Sequence, residues 1–253
     1  VAFSALTARA LGLRVGIVTS AGADVSLAAL NGIPTITIPS EHSTTFENIY
    51  TDAGRAQYLR AQAARVDLDT VPPLWRNASI IHLAPIANEI DSSLPNDFSP
   101  ALLGVTPQGW MRRWDSSGRV SRSEWSDSES VLHKANAVVI SREDVNGDHE
   151  LIEQMAHQTR MLVVTEGAEG CVLHWNGDRR RFRAPDVNEV DATGAGDVFA
   201  TAFFIRLLRT RDPWEAARFA TLIASISVTR VGLGGIPTQA EIESCLMEVL
   251  RTR

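Results

Sequence analysis

Short apolar runs recur along the middle of the chain, and stretches with helical spacing separate them. The runs cover residues 80–83, 102–105, 137–140 and 161–164, and one of the helical stretches covers residues 149–159. Strands that are apolar on both faces are typical of a parallel sheet with helices packed on both sides. The alternation therefore predicts an α/β fold built around such a sheet.

The size of the chain fits a single domain over residues 1–253. Hydrophobic residues make up 44% of the sequence, which is enough to form one large core. The formal net charge of -6 argues against a nucleic-acid partner, because nucleic-acid binders usually carry a basic excess. No apolar run approaches the roughly 20 residues that span a bilayer, so we expect no membrane partner.

The two cysteines, Cys171 and Cys245, lie far apart within apolar patterns. Their spacing matches neither a metal site nor a disulfide framework. We expect both to be buried thiols in a reducing compartment, which is consistent with a cytoplasmic protein.

The most informative local pattern is Asp-Ala-Thr-Gly-Ala-Gly-Asp at residues 191–197, which precedes an apolar helix over residues 198–208. Its glycines permit a tight turn, and the amides of Ala195, Gly196 and Asp197 would then point at one spot. A helix N-terminus favours an anion, and a carboxylate beside it can accept a proton from a hydroxyl. The pattern indicates a phosphate site with Asp197 as base. The alternative is that Asp197 only complements the helix dipole.

Other nucleotide-binding patterns are absent from the sequence. It contains no G-x-x-x-x-G-K-[ST] segment, which excludes a Walker-type P-loop. It has no G-x-G-x-x-G near its start, which argues against a Rossmann-type oxidoreductase.

The segment 191–197 resembles the D-T-x-G-A-G-D signature of PfkB-type carbohydrate kinases, the ribokinase-like superfamily, with Ala192 in place of the usual threonine. Residues 8–24, 164–170 and 227–232 are similar to further segments of the same family, in the same order. The resemblance implies a three-layer α/β/α ribokinase-like fold with a central, mostly parallel sheet. It also implies a small β lid, which we expect over residues 33–59, where side chains alternate with a period of two.

The resemblance implies that Asp197 is the catalytic base and that an anion hole forms at Gly194, Ala195 and Gly196. It places ATP beside Thr165, Gly167, Gly170, Thr193 and Gly232. For residues 165–170 an ordinary hairpin turn is the alternative.

The family resemblance also implies metal ions. Magnesium is expected because it neutralises the transferring phosphates. Many members carry N-x-x-E where this chain has residues 141–144, so Asp144 takes the place of the glutamate; a loop with a helix cap is the alternative. A monovalent cation, K+, is implied at Asp191, Ser227 and Arg230.

The acceptor site is the part that the sequence defines least. Family members carry an opening strand and a Gly-Gly pair that would precede Val1, so we expect the sequence to begin inside the native chain. The resemblance places the following residues near the substrate: Phe3, Asp24, Thr45, Phe46 and Asn48. Phe3 could equally belong to the core. Lid strands of this family pair between subunits, which implies a homodimer.

The sequence leaves the acceptor open. A small sugar is the default hydroxylated substrate of an ATP-dependent kinase of this family. Inositol or a nucleoside is the next choice, since Phe3 and the aromatic segment 108–114 suit a ring. That segment binds substrate or a partner, or it packs on the following loop. A non-catalytic ligand-binding homologue is the remaining alternative.

Overall fold

A computed structural model of the protein describes residues 1–51 and 54–247. Its helices are α1 (Ala2–Ala10), α2 (Ser128–Lys134), α3 (His149–Gln158), α4 (Ala195–Thr210), α5 (Pro213–Ser227) and α6 (Gln239–Met247). Its first strands are β1 (Ile17–Ala21), β2 (Thr35–Pro39), β3 (Thr45–Thr51), β4 (Gly54–Ala61), β5 (Ile80–Leu83) and β6 (Leu102–Val105). The later strands are β7 (Arg112–Trp114), β8 (Val120–Arg122), β9 (Ala137–Ser141), β10 (Met161–Thr165), β11 (Cys171–Trp175) and β12 (Asp178–Phe182).

The central sheet has six strands in the order β12-β11-β10-β9-β6-β5. The neighbours among β5, β6, β9 and β10 run parallel, and β11 and β12 add an antiparallel edge. The predicted apolar runs coincide with these four parallel strands to within a residue. The expected mostly parallel sheet is therefore confirmed.

Alternate residues of the sheet enter different hydrophobic clusters. Val138 and Ile140 of β9 pack with residues of α2 and α3, whereas Val139 packs with the buried phenylalanines of α4, including Phe203. Both sets are almost fully buried, which explains why the strands are apolar on both faces. The result is the expected three-layer α/β/α arrangement.

The C-terminal helices begin at capping residues that the sequence makes visible. Asp212 accepts hydrogen bonds from the amides of Trp214 and Glu215, and Pro213 occupies the first turn of α5. Thr238 and Glu241 form the predicted capping box of α6, in which each side chain contacts the backbone amide of the other. Each such cap stabilises its helix by about 1 kcal/mol.

The predicted lid region, residues 33–59, is divided between two small sheets. β2 pairs in parallel with β1, and the antiparallel hairpin β3–β4 forms the lid itself. The β7–β8 hairpin supports this lid, because Gly118 in its turn accepts a hydrogen bond of 2.8 Å from the amide of Leu59. Gly118 has a φ of +83°, and a Cβ there would collide with the Leu59 carbonyl.

The aromatic segment 108–114 packs internally. Trp110 is buried, its ring stacks on Trp125 at 5.4 Å between centroids, and its Nε1 donates to the Ile90 carbonyl at 2.7 Å. Packing on the following loop, one of the two predicted alternatives, therefore accounts for Trp110. Within the described residues, no helix combines the length and the hydropathy needed to cross a membrane.

Candidate active site

The start of α4 is shaped by one glycine and one aromatic ring. Gly194 caps the helix in the left-handed region, with a φ of +79°. The ring of Phe3 packs so closely on it that a Cβ at Gly194 would overlap the ring. Only glycine fits both constraints without strain. The predicted site residue Phe3 therefore lies at the motif, where it also contacts the core cluster around α4.

Backbone amides at the start of α4 are open. The N–H groups of Gly194, Gly196 and Asp197 donate to no acceptor among residues 1–51 and 54–247, and the space beside Gly196 is empty to 4 Å. Ala195 differs from the prediction, because its amide donates to the Ala192 carbonyl at 3.1 Å. That local turn removes Ala195 from the set of free donors. The open amides can still receive an anion at the helix N-terminus.

Asp197 lies in the first turn of α4 and is partly buried. Its Oδ1 accepts a hydrogen bond from Ser4 Oγ at 3.2 Å. His82, on β5, interacts electrostatically with the Asp197 carboxylate. The predicted base therefore has polar neighbours from two distant segments of the chain.

His82 is held as a neutral ring. Burial lowers the pKa of His82 from 6.5 to about 4, although the nearby Asp197 charge acts in the opposite direction. Its Nε2 lies 3.0 Å from Thr106 Oγ1, and its ring meets Phe204 edge-on with centroids 5.1 Å apart. At neutral pH the ring therefore does not form an ion pair with Asp197.

Neither Ser4 nor His82 was among the predicted site residues. A signal existed for each of them: Ser4 follows Phe3 directly, and His82 is the single polar residue in the apolar run 80–83.

Asp191 connects the motif to the segment that follows α5. Its Oδ1 accepts the Thr193 amide at 2.9 Å, and its Oδ2 accepts the Gly232 amide at 2.8 Å. Hydrogen bonds from Thr193, and then from Gly232, hold the pKa of Asp191 below its ordinary value of 3.8. The structure thus brings together three of the predicted residues. Gly232 has empty space around its Cβ position, so a ligand can approach its backbone.

Ser227 and Arg230, the other residues of the implied K+ site, shape the loop after α5. Ser227 Oγ donates to the Ala224 carbonyl at 2.7 Å, and Arg230 pairs with Glu241 at 3.1 Å. Gly235 packs directly on the Ser227 carbonyl. The K+ assignment stays a prediction.

The turn at residues 166–170 connects the antiparallel strands β10 and β11 as a hairpin. Gly170 has a φ of +93°, and a Cβ there would overlap the Phe182 carbonyl, so packing alone requires this glycine. Gly167, by contrast, has empty space around it. Thr165 Oγ1 donates to the Ile140 carbonyl at 3.3 Å. A nucleotide role for Thr165, Gly167 and Gly170 therefore remains a prediction.

Glu166 in this turn is almost fully buried between two arginines. Its carboxylate forms a close ion pair with Arg181 and a longer one of 3.6 Å with Arg142. The pairing joins the ends of β9, β10 and β12 beside the predicted nucleotide site.

Asp144 closes the loop that follows β9, whereas the helix cap of α3 is Asp148, so the loop with a helix cap that was the alternative to a metal role is present. Asp144 Oδ2 accepts the Ser141 amide at 2.8 Å, and the Asp144 amide donates to Ser141 Oγ at 3.1 Å. Gln108 Nε2 donates to the other carboxylate oxygen at 2.6 Å. The described part of the chain holds no group of three or more His, Cys, Asp or Glu side chains suited to a metal ion. A metal role for Asp144 stays a prediction.

The remaining predicted substrate residues lie at the lid. Asp24 is exposed and accepts hydrogen bonds from the amide and hydroxyl of Ser43, at 3.1 and 2.7 Å, just before β3. These bonds, the hydroxyl contact first, hold the pKa of Asp24 below its ordinary value of 3.8. Asp24 therefore fixes the base of the lid.

Residues of β3 face the β7–β8 hairpin and β4. The guanidinium of Arg112 lies 5.1 Å from the centroid of the Phe46 ring. Asn48 Oδ1 accepts a hydrogen bond from Gln57 Nε2 at 3.0 Å. Thr45 is exposed and donates to the Ser43 carbonyl at 3.0 Å. Contact of Thr45, Phe46 and Asn48 with a substrate stays a prediction.

A mostly apolar cleft of about 190 Å³ lies between α5, α6 and the segment that leads into the motif. Its lining residues are Pro185, Val187, Leu222, Ser225, Ile226, Ser244 and Cys245. The cleft adjoins the helix that ends at Ser227, and its lining suits an apolar group.

Comparisons with known proteins agree with this fold. Residues 127–239 match the family described as pfkB family carbohydrate kinase. An Escherichia coli fructokinase is 28% identical over 194 residues, which are 68% of this chain and 62% of that protein. The chain thus spans less than two thirds of this curated relative.

Solved structures share the fold at low sequence identity. A pyrophosphate-dependent kinase of the ribokinase family, complexed with a pyrophosphate analog and myo-inositol, superposes with a TM-score of 0.77 and 18% identity. The comparison covers 96% of this chain and 89% of that one. A Xylella fastidiosa fructokinase with bound ATP gives a TM-score of 0.76 and 17% identity over 99% of this chain and 90% of that one. These likenesses establish the ribokinase fold, and the family match shows that residues 127–239 are similar to the pfkB family of carbohydrate kinases.

Proposed function

We propose that this chain is an ATP-dependent phosphotransferase that phosphorylates a hydroxyl group of a small sugar. The observation that carries the proposal is the position of the Asp197 carboxylate in the first turn of α4, beside the open amides of Gly194 and Gly196. The arrangement places a base next to a site for a phosphoryl group that gains charge during transfer.

In the proposed reaction the acceptor hydroxyl gives its proton to Asp197 as its oxygen bonds to the γ-phosphorus of ATP. The bond between that phosphorus and the β–γ bridging oxygen breaks, and ADP leaves with the electron pair. The open amides and the N-terminal end of α4 stabilise the charge on the transferring group. Because His82 is neutral at neutral pH, it does not form an ion pair with the Asp197 carboxylate, which is left to accept the proton of the acceptor.

ATP, the phosphoryl donor, is positioned in this proposal by residues at and near the segment 191–197. The triphosphate lies along Thr193 and Gly232, toward the turn that contains Thr165, Gly167 and Gly170. The apolar cleft between α5 and α6 binds the adenine ring. The support is that Gly167 and Gly232 leave room for close backbone approach.

Magnesium binds chiefly through the nucleotide phosphates and water in this proposal. Mg²⁺ commonly uses only one or two protein carboxylates beside substrate phosphates, and Asp144 is the carboxylate we assign to it. Its oxygens each accept a protein hydrogen bond and retain a lone pair for a water ligand. K+ would bind at the loop held by Asp191, Ser227 and Arg230.

Inositol is the second acceptor that we propose to test. Phe3 packs on Gly194 and is only partly buried, and an aromatic side chain at this position suits a cyclic acceptor. Support also comes from the structural neighbour that binds myo-inositol, whose donor is pyrophosphate. Nucleosides are the third class, and a non-catalytic homologue is the outcome if none reacts.

We further propose a homodimer formed through the lid and a cytoplasmic site of action, where ATP is available. Among the described strands, β4 is paired on one side with β3 and meets the β7–β8 turn on the other. The outer edge of β3 is thus the one available for a second subunit.

ADP release tests the proposal directly. Purified protein is incubated with MgATP and with sugars, inositol and nucleosides, and a parallel series with pyrophosphate as donor is followed by release of orthophosphate. We expect acceptor-dependent turnover that Asp197→Asn lowers at least 100-fold, whereas Asp69→Asn, at an exposed carboxylate, retains it. If no acceptor raises ADP release above the Asp197→Asn level, the kinase proposal fails.

A further inference from the structure

We propose that Ser4 is a positioning residue for the base, so that its hydroxyl holds one oxygen of Asp197 while the other faces the acceptor. The inference rests on the proposed function, since it assigns Ser4 a role in that reaction. The observation behind it is the hydrogen bond of 3.2 Å from Ser4 Oγ to Asp197 Oδ1, which joins residues 193 positions apart.

Ser4 is held in place by the helix that carries it. The next residues of α1, which are Ala5, Leu6 and Thr7, are buried. Phe3 and Ser4 are consecutive, and they contact Gly194 and Asp197, which bracket the first turn of α4. Contact at both ends of that turn fixes α1 relative to it. The Ser4 hydroxyl therefore has a defined position rather than a mobile one.

The chemistry of a carboxylate base explains why such a contact matters. A carboxylate can rotate, and proton transfer needs one of its oxygens within about 2.6–3.2 Å of the substrate hydroxyl. A donor bound to Oδ1 restricts the rotation of the group and leaves Oδ2 to face the substrate hydroxyl. Small errors in the placement of a reacting group can lower a rate by up to about 100-fold.

His82, the other polar neighbour of Asp197, does not orient the carboxylate. His82 lies on β5, its Nε2 contacts Thr106, and burial keeps it neutral at neutral pH. Its influence on Asp197 is an electrostatic one across the site. The hydrogen bond that orients the carboxylate comes from α1.

Steady-state kinetics of two Ser4 variants test this inference on the full chain. Ser4→Ala is expected to lower kcat about 5- to 50-fold with KM for the acceptor within about twofold. Ser4→Thr keeps the hydroxyl and is expected to recover kcat to within about threefold of the wild-type value. Thr7→Val, at a buried position of the same helix α1, is the control and is expected to change Tm without lowering kcat.

A double-mutant cycle on Tm tests the contact without using activity. If Ser4 and Asp197 interact, the Tm shifts of Ser4→Ala and Asp197→Ala are non-additive in the double variant. Additive shifts would overturn the inference. So would a Ser4→Ala variant with unchanged kcat, or one that changes KM alone, because Ser4 would then contact the acceptor.

The two proposals fail in different ways. A wild-type protein that turns over no acceptor overturns the proposed function, and the positioning role falls with it, even if the Tm cycle shows the contact. An active wild type with an unaffected Ser4→Ala variant overturns the Ser4 inference alone.

Discussion

The Gly194→Ala substitution tests whether packing of α1 on α4 sets the backbone of the motif. Gly194 has a φ of +79°, and a methyl group there would overlap the ring of Phe3. The substitution therefore adds left-handed strain and also displaces a packed aromatic side chain.

The expected cost follows from these two effects. An alanine in the left-handed region costs about 1–2 kcal/mol relative to glycine. Relief of the overlap requires the Phe3 ring to move, and overpacking of this kind costs roughly 1–3 kcal/mol. We expect Gly194→Ala to lower the free energy of unfolding by about 2–5 kcal/mol.

Phe3→Ala separates the two effects. This variant alone loses the burial of a partly buried ring, which is worth about 1–3 kcal/mol. In the double variant the overlap no longer exists, so the two losses are expected to be less than additive by about 1–3 kcal/mol. Urea unfolding followed by tryptophan fluorescence gives each value.

Gly196→Ala is the matched control for folding. The space beside Gly196 is empty to 4 Å and the residue lies inside α4, so alanine is expected to maintain or raise stability by up to about 1 kcal/mol. The reasoning is refuted if Gly194→Ala is as stable as Gly196→Ala, or if the Gly194 and Phe3 losses simply add.

Further predictions concern the lid and the titrating groups. Gly118→Ala would place a methyl group against the Leu59 carbonyl at a φ of +83°, so we expect a loss of roughly 2–4 kcal/mol in urea unfolding. Gly177→Ala, with a φ of +76° and empty space, should cost only about 1–2 kcal/mol, and equal losses would argue against the lid contact. The pKa of His82 is about 4 when folded and 6.5 when unfolded, so unfolding free energy should fall as pH drops from 6.5 to 4, by at most roughly 3 kcal/mol. His82→Gln should remove that fall in a pH series of urea titrations; an unchanged pH profile contradicts the assignment. The lowered pKa of Asp191 contributes stability that is present above pH 3.8 and is lost as the pH falls further. Asp191→Asn should therefore flatten the acid limb of an unfolding titration followed by fluorescence. If the variant keeps that limb, another group is responsible for it.

The sheet and the large helices were predictable from the sequence because their signals are local. The runs at 80–83 and 102–105 coincide with β5 and β6, since strands buried on both faces must be apolar at every position. The capping box at Thr238 likewise marks the start of α6. The lid was predicted less well. The alternation at 34–38 indicates a strand with two different faces, but its pairing with β1 rather than with the lid hairpin depends on tertiary contacts.

The site residues also fall into those that a local sequence pattern predicts and those that only the folded structure brings together. Gly194 and Asp197 are adjacent in sequence, so their pattern predicts a phosphate site with a base. Ser4 and His82 reach Asp197 from distant segments, and no local pattern states that they meet. The Ala195 amide was predicted wrongly as a free donor, because the turn directs it to the Ala192 carbonyl.

Product analysis of wild type and Asp197→Asn tests the central claim most directly. Calorimetry first establishes that both proteins bind ATP, and phosphorus NMR then follows the reaction with the best acceptor from the panel. We predict that the wild type forms one phosphate monoester for each ADP released, and that Asp197→Asn binds ATP with similar affinity yet forms at least 100-fold less monoester. Equal monoester formation by both proteins would contradict the assignment of Asp197 as the base at the N-terminus of α4.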